Sequence, residues 1–165
     1  MLDQELARLY KLALDDPHLS ADQISTLKAM QRGWIKGRND CWKASVGLET
    51  CIAGSYVMRI DELRSSYAGA RSDEQPGASD GPISYRCDGF DALVSAVFVN
   101  AGMPRVSLKW REYAVVLVTA PSASGAKYLA EDDQVGESMF WTKRDEAIFS
   151  PDGDQELFCR AEPID

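Results

Sequence analysis

The chain has 165 residues, 45% hydrophobic and 27% charged, with 12 Gly and 7 Pro; this is the profile of a folded protein with room for one large or two small domains, not of a disordered or fibrous one. Its 18 Lys and Arg against 26 Asp and Glu give a net charge of −8, which sets the chain as a whole against nucleic acid or an anionic membrane and favours a basic partner. A single histidine, His18, excludes most Ser-His-Asp, Cys-His and multi-histidine metal chemistry. Any catalysis would fall to carboxylates or lysines.

Residues 1–70 read as a small helical module. Leu2, Leu6, Leu9, Tyr10 and Ala13 recur at spacings of three and four, one apolar stripe on a helix that ends before Pro17. Ser20-Ala21-Asp22-Gln23 is a capping-box pattern that opens a second helix. Its expected buried face is Ile24, Leu27, Met30 or Gln31, Trp34 and Ile35. After a break near 45–48, Ile52, Tyr56, Ile60 and Leu63 form a third stripe, and three such helices with short connections make a hairpin or bundle. His18, after a proline between helices, is expected to be an exposed loop residue.

Residues 71–83 turn polar and carry Gly and Pro, the composition of a linker. From 84 to 165 the apolar runs shorten to strand length between turn signals. Eight strands are expected, at 83–87, 94–99, 106–110, 113–119, 127–129, 139–143, 147–149 and 156–160. Turns fall at 100–104, 133–136 and 151–154. So many short strands in so few residues argue for a closed antiparallel barrel. Residues 1–70 are neutral, 71–83 carry −2 and 84–165 carry −6, so the acidity belongs to the linker and the barrel.

The four cysteines, Cys41, Cys51, Cys87 and Cys159, lack the Cys-x-x-Cys spacing of zinc or redox sites and read better as two disulfides. Cys87 and Cys159 lie in the first and last candidate strands, where a bond would tie the barrel's ends; the alternative is two buried thiols. Cys41 and Cys51 flank the turn between the second and third helices, and antiparallel packing would bring them into range; the alternative is a partner upstream. Disulfides imply an oxidising compartment, yet the N-terminus has no signal-peptide pattern. Either four thiols sit in a cytosolic chain or an export signal lies upstream of Met1. No apolar run reaches the ~18 residues of a membrane span.

Taken singly, the other constellations are bland. Pro121 to Tyr128 is a small-residue loop opening into a strand. Phe140 to Ala147 ends a strand in two cations and two anions, with alternation placing Trp141 and Lys143 on one face and Phe140 and Thr142 on the other. Glu131-Asp132-Asp133 lacks the ligand spacing of a calcium loop and reads as an exposed turn. No Gly-rich nucleotide motif is present, and neither metal nor cofactor is expected.

Together, two of these segments are specific. Tyr85-x-Cys87, Ser124-Gly125-Ala126-Lys127-Tyr128, Trp141-Thr142-Lys143-Arg144-Asp145-Glu146-Ala147 and a closing Cys159 resemble, in order, the MliC/PliC family of membrane-bound and periplasmic inhibitors of c-type lysozyme. The Ser-Gly-x-x-Tyr motif is intact. In the second motif, Tyr-x-x-x-Lys-Gly, the lysine falls on Lys143, whereas Met139 stands at the tyrosine and Arg144 at the glycine. The helical part is similar to the LprI-like domain, also associated with lysozyme inhibition, through Gln31-x-x-Trp34-Ile35-x-x-Arg38-x-x-Cys41, then Cys51, Tyr56, Arg59, Ile60 and Leu63. That family carries a further cysteine-containing segment, which implies that this chain starts late and that its export signal precedes it.

The resemblance implies a non-catalytic partner protein of c-type lysozyme, in the periplasm or cell envelope, with any membrane attachment made through an upstream segment. It implies that Ser124, Gly125, Tyr128, Thr142, Lys143 and Arg144 form the lysozyme-binding site. Ser124 would hydrogen-bond one catalytic carboxyl, Lys143 would meet a carboxylate and Tyr128 would brace the loop. The rival reading is a cell-envelope binding module for glycan or protein, with Trp110, Trp141 and Tyr128 as an aromatic platform.

Overall fold

Apolar spacing of three and four near the N-terminus becomes helix, and the period-two alternation further on becomes sheet. The computed structural model describes residues 1–72, 77–131 and 137–163. The chain divides into two units, Met1–Ala78 and Ser79–Asp165.

In the first unit, α1 spans Leu2–Leu14, α2 Ala21–Asn39 and α3 Leu48–Ser66, with 3₁₀ turns at Cys41–Lys43 and Ala68–Arg71. α1 packs on α3. Leu6, Leu9 and Ala13 of α1 are buried, as are Tyr56, Ile60 and Leu63 of α3, so these two stripes meet as their spacing predicts. Glu5 is buried on the same helix and accepts hydrogen bonds from Arg8 Nε at 2.9 Å and Nη2 at 2.8 Å. α2 starts at the expected capping box: Gln23 N donates to Ser20 Oγ at 3.1 Å and Ser20 N to Gln23 Oε1 at 2.8 Å. His18 is exposed in the turn before it.

The buried face expected of α2 needs correcting. Leu27 is its one fully buried residue among those described, while Met30 and Ile35 are 49% and 38% exposed. α2 meets α3 through a polar and aromatic row instead. Trp34 packs edge-on against Tyr56 at 4.9 Å and donates to Ser55 O at 3.0 Å. Arg38 donates to the Tyr56 hydroxyl at 2.8 Å, and Arg59 Nε to Gln31 Oε1 at 3.0 Å. The Cys41–Cys51 disulfide closes the end of this hairpin.

The second unit is a closed barrel in which each strand pairs antiparallel with the next and β8 returns to β1. The strands are β1 Ser79–Cys87, β2 Leu93–Val99, β3 Arg105–Trp110, β4 Tyr113–Ala120, β5 Ala126–Leu129, β6 Met139–Lys143, β7 Glu146–Ser150 and β8 Leu157–Ala161. Alternate residues point inward, so that Tyr85, Leu108, Leu117, Tyr128, Phe140 and Phe149 belong to one buried cluster. At the seam Cys87 lies directly opposite Cys159 and the two are disulfide-bonded. They are 72 positions apart, which in the loop-entropy account contributes about 4 kcal/mol.

β1 starts earlier than its composition suggests. Ser79 to Ile83 carry the Gly-Pro of the expected linker, yet Ser79 pairs with Val99 and Asp80 with Phe98. The register shifts between Asp80 and Ile83, and Gly81 and Pro82 occupy that irregularity, where a missing ladder donor costs little. The expected turn at 133–136 lies outside the described residues.

Candidate functional site

The Ser124 loop and the Lys143 turn come together because β5 and β6 are neighbours. Ala126 pairs with Thr142 and Lys127 with Trp141, so the residues preceding β5 arrive beside those ending β6. Gly125 makes the close approach. Its φ is +68°, and a Cβ there would stand 2.2 Å from the carbonyl oxygen of Thr142. Only glycine meets both conditions.

The loop's backbone is held at two points. Trp141 Nε1 donates to Ser124 O at 2.8 Å, and Ser122 Oγ to Gly125 O at 3.2 Å. Thr142 Oγ1 reaches Ala126 O at 3.5 Å. The hydroxyl of Ser124 is left at the surface, where Lys143 Nζ lies 3.5 Å from it. Among the described residues no carboxylate forms an ion pair with Lys143. The neighbouring acid, Glu146, lies opposite Lys143 in the ladder but accepts from Arg160 at 3.0 Å.

Arg144 and Asp145 alone connect β6 to β7, since Lys143 pairs with Glu146. Arg144 has a φ of +58°, the conformation that glycine, its counterpart in the family motif, adopts freely. An L side chain pays roughly 1 kcal/mol for it.

Tyr128 is 4% exposed, faces the barrel interior and packs against Phe98 at a centroid distance of 6.0 Å. Burial raises its hydroxyl's pKa. It supports the site from behind and presents nothing at the surface. The glycan-platform expectation fails on the same ground, because Trp110 is also buried, at 6% exposure. Of the three aromatics only Trp141 is partly exposed, with the Lys127 ammonium 5.2 Å from its ring centroid.

Beside this corner, and not expected from the sequence, lies a groove of about 380 Å³ lined in part by Ser124, Trp141, Lys143, Ile148, Phe158 and Arg160. Trp141 pairs with Ile148 and Ile148 with Phe158, making an apolar row on the outer face. Phe158 is 64% exposed. The available signal was a phenylalanine at an outward position between the inward Leu157 and Cys159. Glu131 is exposed, whereas Asp132 and Asp133 lie outside the described residues. Among the described residues no three His, Cys, Asp or Glu side chains converge to hold a metal.

A loop hydroxyl and an ammonium without an ion-pair partner among the described residues thus lie side by side where β5 begins and β6 ends. Residues 85–157 match the family model of MliC, the membrane-bound lysozyme-inhibitor of c-type lysozyme. None of the curated proteins compared matches the chain. The MliC match runs from within β1 to the first residue of β8 and leaves the helices outside it. It supports inhibition of c-type lysozyme as the general role of the barrel. Among the described residues no helix is long and apolar enough to cross a membrane.

Proposed function

We propose that the barrel inhibits c-type lysozyme by inserting the Ser124 loop and the Lys143 turn into the enzyme's active-site cleft. Such a cleft works with two carboxyl groups, one protonated and one ionised. The Ser124 hydroxyl hydrogen-bonds one of them, and the Lys143 ammonium pairs with the other in a site emptied of water, where a charge-assisted bond is strongest. Gly125 brings the loop in close, Thr142 and Trp141 hold it, and Arg144 stands at the tip of the turn. The inhibitor acts by occupancy and does no chemistry of its own.

The observation that carries this reading is the ammonium of Lys143, placed beside Ser124 Oγ at 3.5 Å and without a carboxylate partner among the described residues. A carboxylate supplied by the enzyme takes that vacant place. The barrel's excess of acidic residues, 14 against 8 basic over residues 84–165, steers a basic enzyme towards it. The two disulfides suit an exported protein of the periplasm or cell envelope. The helical unit is read as LprI-like, with Cys41–Cys51 and the Trp34, Arg38, Tyr56 cluster as the matching features.

Titrating hen-type lysozyme with the full chain tests this. Ser124→Ala and Lys143→Ala should each weaken inhibition by about 10- to 100-fold, the worth of a hydrogen bond to a charged group. Unchanged lysozyme activity at a large molar excess of the chain overturns the function. Inhibition that survives both substitutions keeps the function but moves the site elsewhere.

A further inference from the structure

α2 carries a surface that the barrel's role does not use. Lys28, Arg32 and Lys36 recur every fourth residue and therefore lie along one side of the helix, over about 12 Å. All three are exposed, and among the described residues none has an ion-pair partner. Like charges at this spacing destabilise a helix when nothing neutralises them. From Ala21 to Lys43 there are five basic residues, Lys28, Arg32, Lys36, Arg38 and Lys43, against two acidic ones, Asp22 and Asp40. This stretch is thus +3 in a chain of −8. With a screening length of about 8–10 Å in physiological salt, a charge cluster acts on what is near it and is not cancelled by distant carboxylates.

A second observation concerns the end of the same helix. The Cys41–Cys51 disulfide ties the end of α2 to the start of α3, and there Trp42 in the 3₁₀ turn is 70% exposed and Leu48, the first residue of α3, 52% exposed. The Lys43 ammonium lies 5.1 Å from the Trp42 ring centroid. An indole and an aliphatic side chain kept out of any core, beside a lysine, are the residue types that settle at the boundary between headgroups and acyl chains. Ile35, 38% exposed, adds apolar surface beside the basic row, whereas Met30 lies on the opposite side of α2.

We propose that α2 and the Trp42 loop dock the chain peripherally on an anionic lipid bilayer. Lys28, Arg32 and Lys36 meet the phosphate headgroups, and Trp42 and Leu48 enter the interface. The three cations without an ion-pair partner among the described residues call for an anionic partner, and the exposed indole just past the C-terminal end of the same helix calls for one with an apolar layer beneath its charge. This binding surface shares no residue with the proposed lysozyme-facing corner.

The test is co-sedimentation of the full chain with phosphatidylcholine vesicles, with and without phosphatidylglycerol, at low and high salt. Binding is expected only with the anionic lipid, falling as salt is raised. The triple variant Lys28→Glu, Arg32→Glu, Lys36→Glu should lose at least about 100-fold in partitioning, given that each cation near such a surface is worth about fivefold. Its circular dichroism and thermal midpoint show whether it folds, and the corresponding triple Gln variant serves if it does not. Brominated lipid should quench tryptophan emission in the parent chain, and Trp42→Phe should abolish that quenching. No binding to anionic vesicles at low salt overturns the proposal, as does undiminished binding by the folded triple variant. Capture by soluble polyphosphate without vesicle binding overturns it too, since the partner would then be a polyanion and not a bilayer.

Discussion

The barrel and the helical unit solve the same problem, satisfying a short chain's backbone and apolar groups, to different degrees of closure. In the barrel every strand has two hydrogen-bonded neighbours and the last returns to the first. No edge is left over, and the interior alternation is filled by one cluster. In the helical unit α1 and α3 bury their stripes together, while α2 contributes Leu27 and otherwise lies along α3 through hydrogen bonds and the packing of Trp34 and Arg38 on the Tyr56 ring. A closed sheet can spend its loops on recognition because nothing in the core depends on them. A helix that buries so little keeps most of its face available.

Breaking each unit's disulfide probes this difference most strongly. Replacing Cys87 and Cys159 by Ala should cost the barrel about 4 kcal/mol, and replacing Cys41 and Cys51 about 3 kcal/mol in the helical unit, the difference following the lengths of the closed loops. Denaturant titration followed by near-ultraviolet and far-ultraviolet circular dichroism separates the two. If either pair lowers both transitions equally, the units do not unfold independently and the contrast collapses.

Alkaline titration is a sharper probe of the barrel. Burial, helped by the negative charges of Asp80 and Asp145, pushes the Tyr85 hydroxyl up to about 12. The unfolded phenol titrates near 10, so the folded state holds its proton longer. The stabilisation is whole below pH ~10 and is lost as pH rises towards ~12, roughly 2–3 kcal/mol in all. Tyr85→Phe should flatten that limb of the stability curve. An unchanged pH profile in the variant would assign the loss to another group.

The smallest expected effect is a gain. Arg144→Gly removes the left-handed strain of the β6–β7 turn and should stabilise the barrel by up to about 1 kcal/mol, read as a rise in its thermal midpoint. Any fall shows that the arginine side chain contributes packing which outweighs the backbone cost.

Much of this contrast was legible in the residues. Period-two alternation is a strong signal, and it located all eight strands, because in a closed barrel one face of every strand is buried. The start of β1 escaped, since Gly81 and Pro82 read as linker when only a local irregularity was required. Stripe spacing found α1 and α3 but misjudged α2, because periodicity tells which residues share a face and not whether a partner covers it. At the site, Ser124 and Lys143 were recognisable as paired segments of two motifs, but their separation of 3.5 Å depends on the β5–β6 register. Tyr128 illustrates the opposite case. It belongs to the motif, and alternation from the outward Trp141 partner at Lys127 already turns it inward. Phe158 stayed hidden because its neighbours in the groove are supplied by other strands.

The bond between Cys87 and Cys159 also changes what a protease can achieve. A single cut anywhere between these two residues leaves the pieces covalently joined, still aligned by the ladder between β1 and β8. The Ser124 loop and the Lys143 turn both lie inside that span, so a nick in any other loop of the barrel leaves them on a tethered framework from which neither fragment can diffuse away.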